Sequence, residues 1–327
     1  MPRSQHGMNQ SQTILAGGIS VVVPVYNSQA TLGELLRRLA AVLPSLASQF
    51  EVILVNDGSR DESWRVIAQL AAEYPFVSGI EMMRNYGQHN ALLCGIRAAR
   101  FDRIVTLDDD LQNPPEEIGK LLAKLEEGYD VVYGKPQAMT HGVFRNLASQ
   151  ITKFVLKQAM GAETARNISA FRIFRTVVRD AFGTYRSPYV SIDVLLTWGT
   201  SRFIAVDVKH DARTVGVSNY TLRKLLTHAF NLVTGFSTWP LQVASLIGFV
   251  FTVAGLFLLL FVLLSRLISG HAPPGFYFLA SIIAIFSGAQ MFALGIMGEY
   301  LARLHFRTMD RPTYTVRTRL GSDRTKE

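Results

Sequence analysis

Ile104-Val105-Thr106-Leu107-Asp108-Asp109-Asp110-Leu111-Gln112-Asn113-Pro114-Pro115-Glu116-Glu117 is a short apolar run that empties into three adjacent carboxylates. Such a run reads as a buried parallel strand, and its carboxyl end is where an open α/β sheet presents a ligand crevice. Side chains alternate faces along extended chain, so Asp108 and Asp110 are expected to point together and Asp109 away. Two carboxylates aimed at one spot repel unless a cation lies between them. Oxygen ligands favour a hard divalent ion, Mg2+ or Mn2+, over zinc.

Outward from this strand, strand and helix patterns alternate. Strands are expected at 19–25, 51–55, 77–82, 104–107 and 130–134, and helices at 32–46, 62–74, 89–99 and 115–127. This alternation predicts a mainly parallel sheet with helices on both faces, Rossmann-like in plan, over residues 19–215. The first strand is followed by Pro24-Val25-Tyr26-Asn27 and not by Gly-x-Gly-x-x-Gly, which argues against the usual dinucleotide phosphate loop. Asp57, in Asn56-Asp57-Gly58-Ser59, follows the second strand, where a carboxylate can accept hydrogen bonds from a base or ribose. Arg84-Asn85-Tyr86-Gly87 follows the third and offers a cation beside a glycine.

The last third of the chain differs in kind. Residues 241–265 and 276–298 carry no charge, and at about 1.5 Å per residue each run is long enough to cross a hydrocarbon core of roughly 30 Å. A transmembrane hairpin is expected over 240–300. The 327-residue chain has a formal net charge of +8, and its basic residues bracket the apolar runs. Lys153, Lys157, Arg223 and Lys224 precede them; Arg303, Arg307, Arg311, Arg317 and Arg319 follow. That distribution speaks for a membrane surface and against nucleic acid. It predicts that the α/β domain and both termini lie on the cytoplasmic side of the membrane. Residues 143–160 mix Phe144, Leu147, Ile151 and Phe154 with Arg145, Lys153 and Lys157, a pattern suited to an interfacial helix, and 216–239 reads as a juxtamembrane helix. Residues 1–18 are expected to be a disordered leader and 301–327 a cytoplasmic tail, disordered from 319. Cys94 is the only cysteine, which excludes an internal disulfide and fits core packing.

Val22-Val-Pro-Val-Tyr-Asn27, the Asn-Asp-Gly-Ser turn, Arg84-Asn-Tyr-Gly-Gln-His89 and Asp108-Asp-Asp-Leu-Gln-Asn-Pro-Pro-Glu-Glu117 together resemble the family 2 glycosyltransferases of GT-A fold. More narrowly, they resemble the polyprenyl-phosphate branch, above all the bacterial undecaprenyl-phosphate 4-deoxy-4-formamido-arabinose transferases. The resemblance runs from about residue 19 to 311. It implies a nucleotide-sugar donor, UDP-linked, a polyprenyl phosphate acceptor, inversion at the anomeric carbon and a homotetramer. It makes Asp108 and Asp110 metal ligands, with Gln112 a further one. It puts Pro24, Tyr26, Asn27 and Asp57 around the nucleoside, with Arg84 and Gly87 close by.

The segment from His210 to Tyr220 is similar to the family's His-x-x-Arg-x-x-Gly-x-Ser-Lys-Tyr, which implies that Arg213 and Ser218 lie at the lipid phosphate. Asn219 stands where that pattern has lysine, and the segment Asn167-Ile-Ser-Ala-Phe171-Arg172 lacks the acid of its counterpart. Many relatives have glutamate where Asn27 stands.

The chemistry follows from charge. A sugar leaving a nucleoside diphosphate develops negative charge on the departing group, which a dication at Asp108 and Asp110 would stabilise. An acceptor phosphate monoester, with its second pKa near about 6, is already ionised at neutral pH and needs positioning more than a base. Arg145, Arg172 and Arg213 are candidates to hold it, and Asp109 is a candidate to touch the sugar or orient the acceptor. Two other readings fit parts of the chain. One is a processive polysaccharide synthase, which the absence of Gln-x-x-Arg-Trp opposes; the other is a silent scaffold that binds a nucleotide sugar.

Overall fold

The computed structural model describes residues 15–136, 168–187, 190–211, 239–269, 275–309 and 312–321. The chain forms two compact units, Met1–Tyr220 with Pro312–Glu327, and Thr221–Arg311.

The first unit is built on an eight-stranded sheet. Its strands are β1 (Leu15–Val25), β2 (Ala47–Asn56), β3 (Val77–Met82), β4 (Arg103–Thr106), β5 (Val131–Pro136), β6 (Arg172–Arg175), β7 (Phe203–Val208) and β8 (Val316–Leu320), in the order β7-β5-β6-β4-β1-β2-β3-β8. β4, β1, β2 and β3 run parallel, as do β5 and β7, whereas β6 and β8 pair antiparallel to their neighbours. Four helices connect the early strands: α1 (Leu32–Leu46), α2 (Ser63–Glu73), α3 (Gln88–Ala98) and α4 (Ile118–Glu126). In α1 the buried residues Leu32, Leu35, Leu36, Leu39 and Leu43 recur at three and four positions, one apolar stripe laid against the sheet. From Val52 to Asn56 every residue of β2 is buried, as expected of a parallel strand covered on both faces.

Pro24 sits inside β1, near the middle of the sheet, where a missing N–H is normally excluded. Val25 points its carbonyl toward β2, accepting from Asp57 N–H at 2.9 Å, so Pro24 faces the β4 side. β4 ends at Thr106, opposite Val22, and Leu107 N–H closes the ladder onto the Val22 carbonyl. Pro24 therefore lies beyond the last rung and costs no ladder bond. The ladder between the two strands ends there.

The sequence reading located these early elements to within a few residues, and three expectations need correction. β1 begins at Leu15, so the leader expected through residue 18 gives up its last four residues to the sheet. The helical part of the last third extends to Thr308. The tail expected to be disordered from residue 319 contributes β8, paired with β3 from Gly79↔Leu320 to Met82↔Val316. An isolated Val-Arg-Thr-Arg-Leu has too little apolar pattern to announce a strand; its partner lies far back in the chain.

The second unit contains α6 (Trp239–Ser269) and α7 (Phe276–Thr308), of 31 and 33 residues, the label α5 being kept for Ile192–Gly199 in the first unit. Phe251 of α6 meets Phe286 of α7 edge to face at 5.5 Å. Many large apolar side chains are exposed on both, among them Phe249, Phe257, Phe261, Leu267, Ile283 and Phe292. Among the described residues no helix is long and apolar enough to cross a membrane, so the expected hairpin rests on the sequence. The interfacial helix expected at 143–160 and nearly all of the juxtamembrane helix at 216–239 lie outside the described residues.

Candidate active site

The carboxyl ends of β1, β2, β3 and β4 converge on one edge of the sheet and bring together Tyr26, Asp57, Tyr86 and the three aspartates. The loops after β1 and β2 are stitched directly: Asn27 N–H donates to Ser59 Oγ at 3.0 Å, and Asn27 Oδ1 accepts from Arg60 N–H at 2.8 Å. Asn27 holds a left-handed φ of 55°, a conformation asparagine tolerates better than most residues. Its amide thus ties two loops together, and Pro24 is buried within β1. Tyr26, between them, is exposed.

Asp57 is buried, and both of its oxygens are engaged. Oδ1 accepts Tyr86 N–H at 2.6 Å and Oδ2 accepts Gly87 N–H at 2.8 Å. The adjoining Gly58 allows close contact, since a Cβ there would lie 2.6 Å from the Asn85 nitrogen. Asp57 therefore shapes the loop carrying Arg84 and Gly87, a role that the sequence reading did not foresee. Arg84 is exposed and stacks its guanidinium 4.2 Å from the Tyr86 ring centre.

Burial pushes the Asp57 carboxyl up to about 6, against the opposing pull of its two N–H donors and of Arg84. The folded chain therefore takes up a proton between about pH 4 and 6 that the unfolded chain does not, and the contribution of Asp57 to stability falls as pH rises through that window. Protonation also removes the charge that strengthens the two N–H bonds. Exchange of the Tyr86 and Gly87 amides, corrected for intrinsic rate, is expected to accelerate as pH drops below about 6, and Asp57→Asn should abolish that pH dependence. Identical profiles for both proteins would remove Asp57 as the loop's anchor.

The three aspartates do not lie on extended chain. β4 stops at Thr106, Asp109 and Asp110 form a turn, and Leu111 adopts a left-handed φ of 62°. Strand alternation therefore does not apply to Asp109 and Asp110. Asp108 Oδ1 accepts Gln88 Nε2 at 2.5 Å, Asp109 Oδ2 accepts Tyr26 N–H at 3.2 Å, and Asp110 Oδ1 accepts Gln112 N–H at 3.1 Å. The Asp108 carboxyl is raised to about 7, first by desolvation and then by Asp110 and Asp109, with Arg172 pulling the other way. Asp109 is raised to about 6, mainly by desolvation.

Half-buried carboxylates that repel one another are a suitable seat for a dication. The oxygen donors of Asp108, Asp110 and the Gln112 side-chain amide fit a hard ion. Among the described residues no group of three or more His, Cys, Asp or Glu has the arrangement of a metal cage by itself. A substrate oxygen would complete such a site, as is usual where Mg2+ binds through one or two carboxylates plus phosphate.

Arg172 requires a correction. It is fully buried on β6, and its guanidinium donates to Asp193 on α5, an acid that also accepts Tyr133 Oη at 3.1 Å. Its ring-facing side lies 5.6 Å from the Tyr133 centroid. Closed in this way, it is a buried, paired charge and not the exposed one expected, and it opposes the rise of the Asp108 carboxyl. Asp193 was missed by the sequence reading, although a lone acid inside Val190-Ser-Ile-Asp-Val-Leu-Leu196 is the mark of a buried paired charge. Gln88 was missed as a partner of Asp108. Arg145, Arg213 and Ser218 lie outside the described residues, while Asp211 N–H donates to the Gln112 carbonyl at 2.9 Å and brings the start of that segment to the aspartate turn.

Residues 20–189, just over half of the chain, match the family model for Glycosyl transferase family 2. The undecaprenyl-phosphate 4-deoxy-4-formamido-L-arabinose transferase of Shewanella sediminis is 38% identical over 94% of both chains. The protein of that name from Photorhabdus laumondii is 36% identical over 94% of this chain and 96% of its own. The crystal structure of a mycobacterial protein shares the fold, with a TM-score of 0.50 at 17% identity over 67% of this chain and 73% of that one. With its mainly parallel sheet, the family match over residues 20–189 and a likeness to these transferases along 94% of its length, the chain belongs to the family 2 glycosyltransferases.

Proposed function

We propose that this glycosyltransferase moves a sugar from a UDP-linked donor to undecaprenyl phosphate or a related polyprenyl phosphate, with inversion, at the cytoplasmic face of the inner membrane. The product would serve cell-envelope glycan or lipid A modification. The observation that carries this reading is the likeness along nine-tenths of the chain to proteins named for transfer to undecaprenyl phosphate. The uncharged runs at 241–265 and 276–298 support a membrane hairpin, and large apolar side chains are exposed where they fall.

Asp108, Asp110 and Gln112 would hold Mg2+ or Mn2+, which as a Lewis acid neutralises charge building on the departing diphosphate. Tyr26 and the loop held by Asp57 would seat the nucleoside. An ionised oxygen of the acceptor phosphate forms the new bond to the anomeric carbon as the bond to the donor diphosphate breaks, its electron pair leaving with the diphosphate. That single displacement inverts the carbon. Arg213, Arg145 and Ser218 would hold the acceptor in line, so positioning replaces a dedicated base.

The test is incubation of the purified full chain with labelled UDP-sugars, Mg2+ and a short-chain polyprenyl phosphate, with and without chelator. Lipid-linked product that disappears on chelation is the expected result. A growing polymer would make the chain a polysaccharide synthase, and binding without turnover would make it a scaffold. In the same assay Arg213→Ala should raise the KM for the lipid acceptor by about tenfold or more and leave that for the donor unchanged. Unaltered acceptor kinetics would remove Arg213 from the acceptor site.

A further inference from the structure

The chain returns to the catalytic sheet after its last long helix, and the manner of that return is not explained by core packing. Every residue of β8 is exposed or half-buried, so the strand contributes hydrogen bonds at the sheet edge and little apolar burial. Its ladder with β3 shifts register between Glu81 and Met82, which lets the segment run on past the end of β3. There both backbone groups of Met83 are taken. Its N–H donates to the Thr315 carbonyl at 2.9 Å, and its carbonyl accepts Arg317 Nη2 at 3.3 Å. Met83 immediately precedes Arg84-Asn85-Tyr86-Gly87, the loop that Asp57 and Gly58 hold from the other side.

A second attachment lies one element further on. Thr313 is buried and its Oγ1 accepts Arg97 Nη1 at 3.4 Å, while the Arg97 guanidinium lies 5.6 Å from the Tyr314 ring centre. Arg97 is on α3, the helix whose first residue, Gln88, contacts Asp108. One segment thus grips the loop before α3 and the body of α3 together. Gly321 locks the far end: at φ 102° it passes so close to β3 that a Cβ would lie 2.8 Å from the Val77 carbonyl oxygen.

We propose that residues 313–321 are a positioning strap, in which Thr313, Thr315 and Arg317 hold the 84–87 loop and α3 in the geometry that binds the nucleotide of the donor. The inference rests on the donor reading above for its ligand, and on the geometry of the strap alone for its effect on the loop. Thr315 and Arg317 act through Met83 and are positioning residues.

The test uses the full chain in detergent or nanodiscs and two variants remote from the aspartates. Gly321→Val should lift the end of β8 from β3, and Arg317→Ala removes one grip on Met83, with Arg317→Lys as its conservative rescue. Two readouts are taken: hydrogen exchange of the residue 84–88 amides in the free protein, and binding of UDP in the presence of Mn2+. Exchange is expected to quicken about tenfold in Gly321→Val and less in Arg317→Ala, and UDP to bind about three- to tenfold more weakly, with lysine restoring both. The KM for the lipid acceptor should stay unchanged. Wild-type exchange and UDP affinity in both variants would overturn the strap. If the unaltered protein does not bind UDP, the donor reading fails and exchange alone decides the strap. Should Gly321→Val unfold, Arg317→Ala, an exposed truncation, decides it.

Discussion

Asp110→Asn should abolish sugar transfer while leaving the fold intact. Asp110 Oδ1 accepts the Gln112 N–H, and asparagine keeps an oxygen for that bond, so the turn that carries the cluster survives. What disappears is a carboxylate oxygen that would face the metal, replaced by an amide that binds a hard cation less well. Loss of one such contribution to stabilising the leaving group is expected to lower kcat by about a hundred- to a thousandfold. Asp110 also helps to raise the Asp108 carboxyl, so its removal relieves repulsion, and the unfolding midpoint should hold or rise slightly. Turnover near that of the unaltered protein, still dependent on metal, would refute the ligand assignment. A collapse of the midpoint would make the residue structural.

The largest effect on stability is expected from Asp193→Ala. Arg172 is 2% exposed, and Asp193 is its ion-pair partner as well as the acceptor for Tyr133 Oη. Removing the acid strands a buried guanidinium and a buried phenol together. Breaking a buried pair from one side costs about 3–5 kcal/mol. Replacing both charges by apolar residues of similar volume, as in Arg172→Met with Asp193→Leu, should recover most of that loss, because no charge is then left without a partner. Chemical unfolding of the purified chain measures both. A single variant within about 1 kcal/mol of the unaltered protein would show that the pair is not a fixed part of the core. The double variant should still transfer sugar poorly, since Arg172 offsets the repulsion that raises Asp108.

How far the site was legible in the sequence depended on the range of the interaction. The apolar stripe of α1 and the β-branched runs of β1 and β4 are local patterns, and each produced the expected element. The strand ends at Asp57, Arg84 and Asp108 were legible for the same reason, because a parallel sheet gathers them at one edge. The failures involve partners distant in sequence. Asp57 also anchors a loop through Tyr86 and Gly87, 29 and 30 residues away, which its own turn does not announce. Arg172 looked available until Asp193 folded onto it. The alternation argument for Asp108 to Asp110 assumed extended chain, and the left-handed Leu111 marks where that assumption ended. β8 needs a partner more than 230 residues earlier in the chain, as the Arg317 contact with Met83 shows. The 4-deoxy-4-formamido-arabinose likeness was carried by short motifs and is matched along most of the chain.

The edge strand β8 makes the catalytic unit discontinuous, with Thr221–Arg311 inserted between its two parts. During translation the ribosome must deliver the whole hydrophobic stretch before the last strand exists to close the β3 edge. Until then β3 presents unpaired backbone to its surroundings, a template for wrong association. A fragment cut before residue 312, made to obtain a water-soluble enzyme, would keep the aspartates and still carry that open seam.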